Sequence, residues 1–136
     1  MLRAVDWFFV VFHTGFVVFN VIGWLIPSWR RANLIALLLT GGSWFGLGIF
    51  YGLGYCPFTD WHWAVLQRLG ESDLPASYMQ YLVMRLLGLD LRAAFVDAVV
   101  AVGFFAALLT SVVLNIRDAH RRRVAAERSP GGEVGA

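Results

Sequence analysis

Hydrophobic positions fall in three long runs separated by short polar stretches. The runs are Trp7–Ile26, Leu34–Tyr55 and Ala93–Ile116. A helix needs about 20 mostly apolar residues to cross a hydrocarbon layer about 30 Å thick, and each run meets that length. The pattern predicts an all-α integral membrane protein with three transmembrane helices plus short interfacial helices. Pro27 stops the first run, because the residue before a proline is pushed out of the α region. The PSWRRAN turn then returns the chain as a helical hairpin. Arg3 before an apolar run resembles a signal peptide. However, the run is long, carries Asp6, His13 and Asn20, and has no small-x-small cleavage site after it, so it reads as a retained span.

Residues 56–92 are more polar. Thr59 or Asp60 suits the start of a short helix running to Leu69, and Ser77 suits the start of another over Tyr78–Leu89. Both are too short to span, and Trp61, Trp63, Tyr78 and Tyr81 favour a membrane–water boundary, so the segment reads as interfacial. The alternative is a fourth, short span over the second of these helices. Residues 1–120 thus form one transmembrane helical domain, and residues 121–136 a basic tail ending in the flexible sequence SPGGEVGA.

Composition supports a lipid environment: 59% of residues are hydrophobic and 15% charged, against about 45–50% and about 25% in soluble domains. One cysteine excludes an intrachain disulfide framework. All 11 basic residues are arginine, and seven of them lie in the first loop or the tail: Arg30, Arg31, Arg117, Arg121, Arg122, Arg123 and Arg128. Beside apolar spans such residues set topology rather than bind nucleic acid. They put the C-terminus in the cytoplasm and the N-terminus outside. A fourth span would put Arg30 and Arg31 outside, against that rule.

Asp6, His13 and Asn20 recur every seven residues on one face of the first span, the spacing of a left-handed bundle. Depth counting brings His13 level with Asp97, with Tyr51 near both. The expectation is a His13–Asp97 hydrogen bond joined by Tyr51, with Asn20, Thr40, Ser43 and Ser111 forming a deeper polar layer. Such a pair acts either as an interhelical clamp or as a site for a proton, a polar substrate or a cofactor. A neutral His13 could ligate haem iron or the magnesium of a chlorophyll-type pigment.

The second span is rich in glycine: Gly41, Gly42, Gly46, Gly48 and Gly52. Gly42–Gly46 and Gly48–Gly52 are GxxxG pairs, which let helix backbones approach closely in lipid. Gly41, Gly48 and Gly52 are expected on one packing face, with Gly48–Gly52 as a contact for a further helix. Cys56, Asp60 and His62 lie within seven residues but complete no zinc ligand set, so no metal site is expected. The sequence has no CxxC pair, GxSxG elbow, Walker-type loop or dinucleotide fingerprint, and no cofactor is required by it.

The histidine early in the first span, a second span ending in Cys-Pro, and Cys56-Pro57-Phe58-Thr59 opening the interfacial segment form a recognisable set. They resemble a small bacterial inner-membrane family, a domain of unknown function whose marker is Cys-Pro-Leu-Thr followed by a glutamate and Leu-Arg. The likeness runs from about His13 to Leu114. His62 stands where the glutamate is expected and Leu66 where the arginine is, which puts in doubt any chemistry routed through that glutamate. The resemblance implies a multi-pass protein of the bacterial inner membrane and no particular activity.

With no complete catalytic set, the leading expectation is an accessory, non-catalytic subunit packed with other membrane subunits, for which respiratory and photosynthetic assemblies are natural hosts. The alternative is a redox or proton-handling membrane protein using His13, Asp97 and the Cys56–His62 segment. The bilayer is the expected partner in either case, and nucleic acid is not.

Overall fold

The computed structural model describes residues 1–52 and 54–128. The expected SPGGEVGA tail, Ser129–Ala136, lies outside them. The described residues form helices α1 (Leu2–Ile22), α2 (Arg30–Gly42), α3 (Gly48–Tyr51), α4 (Pro57–Arg68), α5 (Tyr78–Leu87) and α6 (Ala93–Glu127). Tight turns at Gly23–Leu25 and Pro27–Trp29 link α1 to α2, and a widened π turn over Ser43–Leu47 joins α2 to α3. Three stretches are long and apolar enough to cross a membrane: Leu2–Leu25, Pro27–Tyr51 and Ala93–Glu127. The fold is all-α, as the apolar runs predicted.

Several boundaries differ from the sequence reading, each for a local reason. The second span ends at Tyr51 rather than Tyr55, because Gly52 takes a φ of 103° that a helix cannot continue. Helix α4 starts at Pro57 with Cys56 as its cap residue, so neither Thr59 nor Asp60 caps it. Proline suits the first helical position, where its missing N–H is not needed. Ser77 does cap α5, its hydroxyl accepting from the Gln80 amide at 3.4 Å. That helix stops at Leu87, before the left-handed Gly88, and not at Leu89. Its ten residues span about 15 Å, half a bilayer, so α5 is no fourth span. Helix α6 runs on through Arg121, Arg122 and Arg123 to Glu127. That part of the expected tail is a rigid basic rod. At about 1.5 Å per residue the 35-residue helix is about 52 Å long, so roughly 20 Å of it extends past the apolar layer.

Helices α1, α2 and α6 pack as a bundle, α2 antiparallel to α6. Leu37, Phe104 and Ala107 form its centre, flanked by Trp24, Trp44 and Leu108. The hairpin turn closes tightly: a Cβ on Gly23 would stand 2.9 Å from Asn33 Nδ2 and 3.1 Å from the Phe19 ring. At the same end Arg30 donates to both oxygens of Asp118, at 3.2 and 3.1 Å, and joins the start of α2 to α6. At the opposite end α4 and α5 fold back over the bundle as a cap, α4 against α1 and α5 against α6. A second core of Val10, Tyr78 and Leu82, with Trp63, Met79 and Tyr81 around it, holds the cap in place.

Candidate functional site

The cap is built around an ionised group inside the first span. Asp6 is 5% exposed, near the start of α1. Arg85 on α5 grips it with two parallel hydrogen bonds, Nη1 to Oδ1 at 2.9 Å and Nη2 to Oδ2 at 2.6 Å. Two-point contact between a guanidinium and a carboxylate is among the stronger ion-pair geometries. The Arg85 side chain also donates to the Tyr81 hydroxyl and lies 4.9 Å from the centre of the Trp7 ring. Burial alone would weaken its charge, but the bonds to Asp6 outweigh that and raise its pKa further.

His62 on α4 completes the cluster and is fully buried. Its Nε2 lies 2.8 Å from Asp6 Oδ1 and its Nδ1 2.7 Å from the Tyr78 hydroxyl. A carboxylate can only accept, so Nε2 carries the proton, and in the neutral ring Nδ1 accepts from Tyr78. Burial drives the His62 pKa down, against the pull of Asp6. Since Arg85 already balances Asp6, the neutral ring is the resting form. Burial likewise pushes the Tyr78 and Tyr81 phenols up, so both keep their protons. Phe9 stacks on the His62 ring at 5.2 Å, while Tyr78 and Tyr81 meet it edge-on. The result is a hydrogen-bonded line Arg85–Asp6–His62–Tyr78 linking α5, α1 and α4.

The expected His13–Asp97–Tyr51 group is not assembled. His13 is buried, and its ring meets Tyr78 edge-on at 4.7 Å. Asp97 is exposed and accepts instead from Ser77. The reason is that the Ser77 cap of α5 docks beside the start of α6. Tyr51 is exposed and stacks on Tyr55 at 4.5 Å. Counting residues along the helices does not give the rotation about them, which decides which neighbours these side chains meet. The heptad face does appear, since Asp6, His13 and Asn20 are all buried. Tyr78, expected at a wet boundary, is instead part of the core.

In the deeper layer Asn20 Nδ2 donates to Thr40 at 3.3 Å, whereas Ser43 turns away to the Tyr55 carbonyl at 2.9 Å. Asn33 belongs to this layer too and was missed. It donates to the Phe19 and Asn20 carbonyls at 2.7 and 3.2 Å.

The glycines divide differently from the expected face. Gly41 meets Phe104 and Gly48 is buried, but Gly52 has left the helix. The open pair is Gly42 and Gly46: a Cβ on either would meet no atom within 4 Å. Cys56 is a half-buried free thiol, Pro57 and Thr59 lie in the first turn of α4, Asp60 is exposed, and His62 points inward to Asp6. Among the described residues no three His, Cys, Asp or Glu side chains gather to hold a metal ion.

The fold and the cap define a class: a multi-pass helical protein with three membrane-spanning helices and a charged, hydrogen-bonded cap at one end. The chain belongs to the family described as Protein of Unknown function (DUF2784), whose model matches residues 3–116. That match takes in all three apolar spans and the cap. Neither the curated proteins nor the solved structures contain a match to this chain.

Proposed function

We propose that the chain is an accessory, non-catalytic membrane subunit that packs within a larger membrane assembly through its second span. The open Gly42–Gly46 pair carries this reading. It lies on the outward face of α2 and the π turn, among the exposed Leu38, Leu39, Phe45 and Ile49. Lipid tails are as apolar as leucine, so helices associate in a bilayer through close backbone contact, and paired small residues allow it. A π turn inside a helix is uncommon and often falls at a functional position. The cap residues bond to one another, which suits a clamp that keeps the bundle in shape for its partner. Respiratory and photosynthetic assemblies are the natural hosts.

The setting proposed is the bacterial inner membrane, with the Arg30–Arg31 turn and the α6 rod in the cytoplasm and the cap outside. A single cysteine placed at Ser28, in a Cys56→Ser background, should therefore resist an impermeant thiol reagent applied to intact cells. Labelling from outside would invert the topology.

Purification in mild detergent with native mass measurement tests the assembly. The wild type should carry at least one further chain. Gly42→Leu and Gly46→Leu should each weaken that association about tenfold, which is about 1.4 kcal/mol, because a bulky side chain there holds the backbones apart. A stable monomer in the wild type, or unchanged association in both variants, would refute the reading.

The line Asp6–His62–Tyr78, with His13 against Tyr78, favours a second reading, proton handling within the membrane. In that reading His13 is the residue for a haem or pigment, and a visible absorption band in the purified protein, lost in His13→Ala, would decide for it.

A further inference from the structure

The far end of α6 leaves the bundle as a single helix. Past Ile116 it reads RDAHRRRVAAE, with Arg128 following as its cap residue. Arg117, Arg121, Val124 and Arg128 recur at spacings of four, three and four residues, which puts them on one helical face. The side chains agree with that pattern: His120, Arg121, Val124, Ala125 and Arg128 line one shallow hollow along the rod. Val124 is half-buried there, while its neighbours on the rod are exposed. No acidic residue shares the face. Asp118 is turned to α2, where Arg30 holds it, and Glu127 stands about 100° round the helix from Arg128. Among the described residues, none of the five arginines past Ile116 is in an ion pair.

The positive-inside rule asks only for arginines near a span, on any face. Lipid headgroups do not account for the face either. With Ile116 at the edge of the apolar layer, Arg128 stands about 18 Å beyond it, and a tilt of about 20° shortens this by only about 1 Å. The headgroup zone is about 5–7 Å deep on each side. Arg121 lies near its outer edge, and Arg128 about 10 Å past it, further than the screening length of about 8 Å at physiological ionic strength. The outer half of the stripe therefore faces water.

We propose that this face docks an acidic amphipathic helix of a partner protein in the water phase. A 4-3-4 spacing is that of the seam between two paired helices. The partner helix carries carboxylates opposite Arg117, Arg121 and Arg128 and a small apolar residue opposite Val124. Arginine meets a carboxylate through two parallel N–H bonds, and the matched charges set the register of the pair. A second copy of this chain would bring like charge against like. The phosphates of a nucleic acid would leave the apolar Val124 uncovered. This contact is separate from the one proposed at Gly42–Gly46. It rests on the proposed orientation only for the side of the membrane on which the partner lies.

The test is photo-crosslinking of the full chain in its native cells, with a photoreactive amino acid placed at Val124 or, on the opposite side of the rod, at Ala126. The Val124 position should give one protein adduct, and mass spectrometry of the crosslinked peptide should show a helical segment with Asp or Glu at 4-3-4 spacing. The Ala126 position should give little of it. Arg121→Gln with Arg128→Gln should lower the adduct yield about tenfold, the loss expected from two exposed ion pairs. Arg122→Gln with Arg123→Gln removes the same charge from other faces, and so has the same effect on topology, but should leave the yield within about twofold. Equal losses in the two double variants would reduce the stripe to plain charge and overturn the proposal. Equal yields at the two positions, no adduct at either, or adducts only with lipid, nucleic acid or a second copy of the chain would overturn it as well.

Discussion

Arg85→Ala is expected to destabilise the cap by about 3–5 kcal/mol, the range for removing one partner of a buried ion pair. The side chain supplies both bonds to the Asp6 carboxylate and one to Tyr81. Without it, a charge that is 5% exposed on a membrane-spanning helix keeps His62 as its one remaining partner. The loss should fall on α4 and α5 first, because the three-helix core around Leu37, Phe104 and Ala107 does not touch Arg85. Limited proteolysis in detergent should therefore cut within residues 69–77 well before the spans unfold. The double variant Asp6→Leu with Arg85→Met should recover part of the loss, since apolar groups of similar size can replace a buried ion pair at little cost, while the buried His62 Nε2–H is left without its acceptor. Equal protease resistance in Arg85→Ala and wild type would show that the ion pair does not hold the cap.

This pair also marks where sequence reading stopped. The spans were legible because hydrophobic length is a property of each run by itself. The Asp6–His13–Asn20 face was legible because a seven-residue repeat needs only one helix. The cap was not, because its contacts join residues far apart in the chain. Asp6 and Arg85 are 79 positions apart, and Asp6 and His62 are 56 apart. Two short helices with boundary-loving aromatics gave no sign that they fold back over the first span. Asp97 failed for a related reason: counting residues gives its depth but not which neighbour its side chain meets. Gly52 shows a third kind of ambiguity. The same residue that opens a helix face to close contact also permits the positive φ that ends a helix, and here it does the second. The span-forming glycines Gly42 and Gly46 have no such signal against them. Their openness is visible only once Phe104 is seen to cover Gly41.

His62→Ala should be comparably damaging, and its effect should carry a pH signature. The substitution leaves Tyr78 without its acceptor, removes one of the bonds to Asp6, and opens a cavity beside Phe9. A lost buried hydrogen-bond partner costs about 1–3 kcal/mol and a large-to-small change in a core about 2–5 kcal/mol, so a total of at least about 3 kcal/mol is expected. The pH dependence follows from the direction of the His62 shift. Burial holds the folded-state pKa below the unfolded value of about 6.5. Between those two pH values the unfolded chain binds the extra proton and the folded chain does not, so stability rises with pH. The contribution is complete above about pH 6.5 and is lost as pH falls below it, at a slope of at most about 1.4 kcal/mol per unit. In His62→Gln the amide can still meet Asp6 and Tyr78, so the fold should survive while this part of the slope disappears. Melting temperatures of wild type and His62→Gln between pH 7.5 and 5 should therefore converge on acidification. Curves that diverge on acidification would mean that His62 is protonated in the folded cap, as an ion pair with Asp6, and parallel curves that its pKa does not change on folding.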